Sequence, residues 1–503
     1  MQPSPDSARD ARTGWPAGTH RSLVPARLDR LPWTRFHWRV VVALGITWIL
    51  DGLEIQIVSQ IGAVLQTRGT LHLSGADVGL LATVYLLGEV AGALIFGRIT
   101  DRFGRKKLFV ITLVVYLLAN GIAGLSLHLW FLLLFRFLAG AGIGGEYTAI
   151  NSAIDELIPP RYRGRVDIII NGTYWLGALL GASANIFLLN PHWLPTDLGW
   201  RVGFFLGPVL ALWVIFLRRA IPESPRWLMI HGRPAQAESI VDQIETEARR
   251  AGIRLPPLSA DSALEVTGRG NVSYRQIWRT MRRDHPKRSL LGFSMMVSQA
   301  FLYNALFFTY PLVLINVYHV PASHLSYFVI IFAAANLAGP LVLGKLFDTA
   351  GRRRMITITY CISGLLLVVN AHLLAPRVLT ATTHDLVLCT VFFFASAGAS
   401  SAYLTVSEIF PLELRSQAIS FFFALSLLIG GVAAPPLFQH LIGDGTKAAP
   451  LVGGYYAAGA VMVAGGLIAW RFAVDAERKS LEEIANPLSA VPPRAIEPPI
   501  ERG

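Results

Sequence analysis

Five ionisable side chains interrupt the apolar stretches of the first half of this sequence: Asp51, Glu54, Glu89, Arg136 and Glu146. A charge at mid-bilayer costs about 2.5–3.5 kcal/mol on insertion scales, so five facing lipid would cost roughly a whole domain's stability. They are expected instead to face a shared interior, where they can pair or carry a proton. Asp51 and Glu54 stand at i, i+3 and share a helix face. If the first apolar stretch rises outward and the fourth descends, Glu54 and Arg136 meet at one depth, in the outer half of the bilayer. Glu146 lies about 15 Å further along its helix and cannot share that contact. The chemistry this pairing offers is a proton switch: ionised, Glu54 is held by Arg136; protonated, it lets go. A static structural ion pair is the alternative. Glu89 and Glu146 are candidates for either gating or structural roles.

The elements that must position these groups follow from composition. Of 503 residues, 53% are apolar and only 15% charged, where a soluble chain carries about a quarter. About twelve apolar stretches of roughly 20 residues are each long enough to cross ~30 Å of hydrocarbon as a helix. They begin near Arg39, Asp77, Lys107, Leu129, Val166 and Arg201, then near Ser289, His324, Met355, Asp385, Gln417 and Leu451. Basic residues crowd alternate loops, among them Arg102, Arg105, Lys106, Lys107, Arg161, Arg163, Arg165 and Arg352–Arg354. The positive-inside rule therefore puts both termini in the cytoplasm of a multi-pass plasma (inner) membrane protein. That placement also accounts for the net charge of +12 without nucleic acid. The expected organisation is a flexible cytoplasmic tail (1–37), a six-helix bundle (38–219), a cytoplasmic linker with short helices (220–287), a second bundle (288–474) and a C-terminal tail (475–503). The fold class is all-α, with twelve transmembrane helices in two pseudo-symmetric bundles.

An internal repeat supports that division. Gly97-Arg-Ile-Thr-Asp101-Arg102-Phe-Gly104-Arg105-Lys recurs as Gly344-Lys-Leu-Phe-Asp348-Thr-Ala-Gly351-Arg352-Arg. Glu156-Leu-Ile-Pro-Pro-Arg-Tyr-Arg163 recurs as Glu408-Ile-Phe-Pro-Leu-Glu-Leu-Arg415. Both pairs are offset by about 250 residues, the mark of duplicated halves with equivalent helices. Gly104 and Gly351 permit a tight reversal at positive φ. Asp101 and Asp348 fall near helix C-termini, where a carboxylate needs cationic partners, and arginines in adjacent loops can supply bidentate bonds.

This loop motif resembles the signature of the major facilitator superfamily. Within it the chain is similar to the sugar porters and their metabolite–proton symporter relatives, from about Trp38 to Ile484. Pro222-Glu-Ser-Pro-Arg-Trp-Leu228 looks like the sugar porter sequence after the sixth helix, and Gly144-Gly-Glu-Tyr147 looks like the metabolite–proton symporters. The resemblance implies the facilitator fold, with Glu54 as proton acceptor and Asp51 and Arg136 beside it. It implies gating by Gly97, Asp101, Arg102, Gly104, Arg105, Glu156, Arg163, Asp348, Gly351, Arg352, Glu408 and Arg415. Gln299 and Asn304 retain part of the sugar porter motif of helix seven, and Asn171 falls where those proteins place a Gln. Amides offer both donors and an acceptor to a polar solute. Trp175, Tyr303, Phe308 and Tyr310 supply rings for stacking.

There is no Gly-x-x-x-x-Gly-Lys-Ser/Thr loop, so ATP-driven transport is not expected. No metal cluster, cofactor motif or nucleophile–base pair is evident, and the two cysteines imply no disulfide framework. The expectation is a monomeric secondary transporter, in which a small polar solute (sugar, polyol or organic acid) moves with a proton through the lipid bilayer by alternating access. Proton-antiport export of amphipathic compounds, or a non-transporting nutrient sensor, are the alternatives.

Overall fold

The computed structural model describes residues 19–485 apart from 68, 219–221, 260–261, 268–273, 308, 322–323, 376–377 and 444–448. The first six membrane helices are α1 (Arg35–Val64), α2 (Gly75–Phe103), α3 (Arg105–Ala123), α4 (Leu129–Leu157), α5 (Pro160–Leu188) and α6 (Thr196–Arg218). The second six are α7 (Pro286–Asn316), α8 (Leu325–Thr349), α9 (Arg352–Leu374), α10 (Ala381–Ile409), α11 (Arg415–Ile442) and α12 (Ala449–Phe472). Ten of these are long and apolar enough to cross a membrane by length and composition alone. In α5, Arg161, Arg163, Arg165 and Asp167 crowd the first turns and lower its apolar content.

Without a hydrophobic drive between helices in lipid, small residues set which helices touch. The α2–α4 contact shows this most strongly. A Cβ on Gly140 would lie 2.1 Å from the Tyr85 carbonyl oxygen, and one on Gly92 1.9 Å from that of Ala141. The contact holds Tyr85 and Glu89 on α2 against Arg136 on α4. Gly140→Leu is expected to force these backbones apart at a cost of about 1–3 kcal/mol or more. Gly79→Leu, where nothing lies within 4 Å, serves as control. Thermal unfolding in detergent should separate the two, and equal midpoints would remove this account of the packing.

The halves meet along α2–α11 and α5–α8. Thr148 Oγ1 and Ser420 Oγ stand 3.0 Å apart and the Ser152 and Ser416 hydroxyls 3.3 Å apart, each pair joining α4 to α11. Two membrane helices are locally widened into π-turns, α7 over Tyr303–Phe307 and α11 over Leu427–Ala433. Such turns displace the ladder by one residue and are frequent at functional sites.

Beyond one end of the bundles lies a small layer outside the membrane helices. Strand β1 (Thr19–Ser22) pairs antiparallel with β2 (Leu264–Thr267) of the central linker. Short helices follow at Val24–Asp29, Pro225–Ile230, Pro234–Arg250 and Leu481–Ile484. The flexible tail expected before α1 is therefore folded from Thr19 onward. Val24, Leu28 and Leu31 are buried in one apolar cluster with Ala237, Val241 and Ile244 of the linker helix. Arg27 bonds Asp242 at 2.5 Å and Glu245 at 2.9 Å, and Arg30 reaches Glu245 at 2.6 Å.

Candidate transport site

The first bundle gathers an acid–base cluster from five helices. Arg136 on α4 donates from Nη1 to Asn120 Oδ1 on α3 at 3.3 Å. Its Cζ lies 4.0 Å from the ring centroid of Tyr85 on α2. Such a contact attracts a guanidinium to the electron-rich ring face. Glu54 on α1 is 2% exposed, with the Tyr116 hydroxyl beside it and no charged donor on either carboxylate oxygen among the described residues. It lies within the electrostatic reach of Arg136 and Glu146. Gly207 on α6 makes room for it, since a Cβ there would approach Glu54 Oε2 to 2.6 Å. No ion pair within 4.0 Å joins Glu54 to Arg136 among the described residues. The direct pair expected from sequence is thus corrected to proximity, because a neutral amide and an aromatic face already satisfy the guanidinium. Asp51, Glu89 and Glu146 are also buried, Glu89 alongside Tyr85.

Deeper in the molecule an aromatic group bridges the halves. Trp175 on α5 stands 5.7 Å from Tyr303 and 5.3 Å from Phe307 on α7, and 6.0 Å from Phe332 on α8. Tyr303 packs edge-on to Phe392 on α10 at 5.1 Å and donates its hydroxyl to Asn336 Oδ1 at 3.0 Å. Gln299 lies beside Tyr403. Asn304 turns its amide nitrogen back to the Ala300 carbonyl at 2.8 Å. Asn171 donates to Asn151 Oδ1 at 3.2 Å and leaves its own Oδ1 unpaired. Phe308 lies outside the described residues. Tyr310 instead donates to Asp385 Oδ1 at 2.5 Å.

At the end of the bundles that carries the chain termini, the duplicated motifs lock the halves together. Asp348 at the end of α8 accepts the backbone amides of Gly164 and Arg165 on α5 at 3.1 and 2.8 Å. Arg352 bonds Asp348 at 2.7 Å and grips Glu408 from Nε and Nη2, each at 3.2 Å. Arg163 approaches Glu408 from the other half at 3.6 Å. Arg415 lies in the field of Asp155 and Glu156. Gly104 and Gly351 have φ of 97° and 104°, as a tight reversal requires. Gly97 lets α11 approach, since a Cβ there would meet Ser420 Oγ at 1.9 Å. The side chains of Asp101, Arg102 and Arg105 lie outside the described residues.

Three further groups join this lock without a signal in the repeat. Arg226 donates to Asp29 at 2.6 Å, Glu482 at 2.9 Å and the Glu156 carbonyl at 2.7 Å. Burial opposes the Arg226 charge, and the two carboxylates more than restore it. Asp29 comes from the helix before α1 and Glu482 from the helix after α12, so segments flanking both bundles tie into the closed face.

The twelve helices, the duplicated motifs and the lock between the halves define a transporter of the facilitator type rather than an enzyme. The profile of the "Sugar (and other) transporter" family matches residues 41–488, and the chain belongs to that family. It is 28% identical to the niacin transporter NiaP of Acinetobacter baylyi over 83% of this chain and 90% of that protein. A probable 4-methylmuconolactone transporter of Cupriavidus pinatubonensis is 28% identical over 76% and 79% of the two chains. Among solved structures, the Escherichia coli proton:xylose symporter XylE bound to 6-bromo-6-deoxy-D-glucose superposes with a TM-score of 0.73 at 20% identity, covering 90% of this chain and 98% of that one.

Proposed function

We propose that this protein imports a small ring-bearing organic acid together with a proton, as a monomer of the plasma membrane with both termini cytoplasmic. The observation that carries the coupling is Glu54, a buried carboxyl with no charged donor, in reach of an arginine that is engaged by Asn120 and Tyr85 instead. An ionised carboxylate left in that position would be strongly disfavoured, whereas a protonated one is at ease. Proton loss then turns Glu54 into a competitor for Arg136 and pulls on α1 and α4 together. The solute class is supported by the ring group around Trp175, which offers flat apolar surfaces flanked by few amides. Niacin and methylmuconolactone, carried by the two relatives, are compact rings of that kind. A hexose would ask for more amide donors than Gln299, Asn304 and Asn171 leave free.

The test is uptake into proteoliposomes under an imposed pH gradient, with nicotinate, benzoate, a muconolactone, glucose and xylose as candidate solutes. One of the ring acids is expected to accumulate when the outside is acidic, with no competition from excess hexose. Uptake that ignores the gradient would remove the coupling. Hexose accumulation would remove the solute class.

A further inference from the structure

The segments that flank the two bundles have no role in the reading above, and each is docked on a different half. The one before α1 belongs to the first half. Its strand β1 pairs with β2 of the linker, and Val24, Leu28 and Leu31 share an apolar cluster with Phe36 and Val40 of α1 and Val241 of the linker helix. Arg27 and Arg30 hold Glu245 of that helix, and Arg39 of α1 holds its Glu247. The segment after α12 belongs to the second half. Arg288 at the start of α7 donates to the Ile484 carbonyl at 2.8 Å, and the backbone amide of Arg352 on α9 donates to Glu477 at 3.3 Å.

Arg226 stands between the two segments and is 1% exposed. Its neighbours Trp227 and Leu228 lie in the apolar cluster of the first half. It donates to the Glu156 carbonyl of α4 at 2.7 Å, to Asp29 at 2.6 Å and to Glu482 at 2.9 Å. Arg163 Nη2 on α5 lies 4.0 Å from the same Asp29 oxygen. When the halves part at this end, Glu482 leaves with the second half, while Asp29 and the Glu156 carbonyl stay. A guanidinium left without a carboxylate in a partly dry site is costly. In the closed form two carboxylates crowd Arg226 instead. Burial and Glu482 push the Asp29 carboxyl upward against the pull of Arg226 and Arg163.

We propose that Asp29 is a stand-by counter-ion, the carboxylate that remains on Arg226 when the halves part and Glu482 leaves, and that it thereby keeps the open form populated. The segment Thr19–Leu31 is the strap that holds this charge in place.

The sign distinguishes this from one more bond of the lock. A bond between the halves is broken by opening, so its loss favours the open form. The Asp29–Arg226 bond lies within one half and survives opening. Its charge is dispensable while Glu482 is present and needed once Glu482 is gone, so its loss favours the closed form.

The experiment places a donor and an acceptor dye on Arg161→Cys and Arg354→Cys, both exposed at the end that carries the lock, with Cys361 and Cys389 replaced by Ser. The full chain is read in lipid nanodiscs without solute. Asp29→Asn should lower the open-to-closed ratio roughly tenfold, short of what a fully dry pair would lose because the open face admits water. Glu482→Gln should raise the ratio, and Asp29→Glu should restore it to near the wild-type value. Leu28→Ala, which loosens the strap without touching an ion, should lower it in the same direction as Asp29→Asn, and answers the question alone if that variant does not fold. The proposal is overturned if Asp29→Asn or Leu28→Ala raises the ratio or leaves it unchanged, if Glu482→Gln lowers it, or if Asp29→Glu behaves as Asp29→Asn. The inference rests on the rocking of the halves and on neither the solute class nor Glu54. A wild type that shows one distance in every condition, excess solute included, overturns it together with alternating access, whereas a wrong sign in the variants overturns it alone.

Discussion

Arg352→Gln is expected to open the cytoplasmic face and to abolish net uptake. Arg352 is only 2% exposed and grips Glu408 with two nitrogens while holding Asp348 with a third. Glutamine can reach one of these partners at most. Asp348 would then keep only the two backbone amides of α5, and Glu408 only Arg163 at 3.6 Å, a loss of about 3–5 kcal/mol when one partner of a buried pair is removed. The open form loses far less, because water hydrates the same carboxylates there. The closed-to-open equilibrium should shift by a hundredfold or more. Dyes on Arg161→Cys and Arg354→Cys would report this as a dominant long distance at neutral pH. Solute binding from outside should weaken in proportion, since it needs the closed cytoplasmic face. An unchanged distance distribution would show that the lock is held mainly by the α2–α11 and α5–α8 packing.

The sequence shows where this molecule is constrained by lipid and by duplication, and is mute where neutral groups do the work. The helices and the repeated charged cluster were legible because a charge in hydrocarbon is costly and the repeat copies the same costly residues twice. Arg352, Glu408 and Asp348 were readable for that reason. Arg136 was readable as an interior cation, yet its partners were not: Asn120 and Tyr85 are uncharged, on other helices, and nothing in their spacing marks them. Asn171 and Asn304 were singled out as solute contacts, but amides satisfy backbone carbonyls and other amides as readily as a solute. The tail did carry a signal that was passed over. Val24, Leu28 and Leu31 fall at helical spacing between Arg27 and Arg30, the pattern of an amphipathic turn seeking a partner.

Glu54→Gln is expected to separate exchange from accumulation. Glutamine has nearly the shape of a protonated glutamate, so the Gly207 notch and the packing around Tyr116 can accept it. What it cannot do is lose a proton. The wild type, exposed to an outside one pH unit more acidic than the inside, can concentrate solute about tenfold per coupled proton, because one unit is worth 1.36 kcal/mol. The variant should equilibrate solute to a ratio of about one under the same gradient, while solute-for-solute counterflow persists at a similar rate. Counterflow requires only the rocking of a loaded carrier, and a permanently neutral residue at 54 leaves Arg136 on Asn120 and Tyr85 as in the structure described above. Net uptake also requires the empty carrier to return, and that step uses the ionised carboxylate to draw Arg136 away. Loss of both counterflow and accumulation would make Glu54 a structural residue. Accumulation at the wild-type level in Glu54→Gln would place the coupling proton elsewhere, with Asp51 and Glu89 the next carboxyls to neutralise in the same assay.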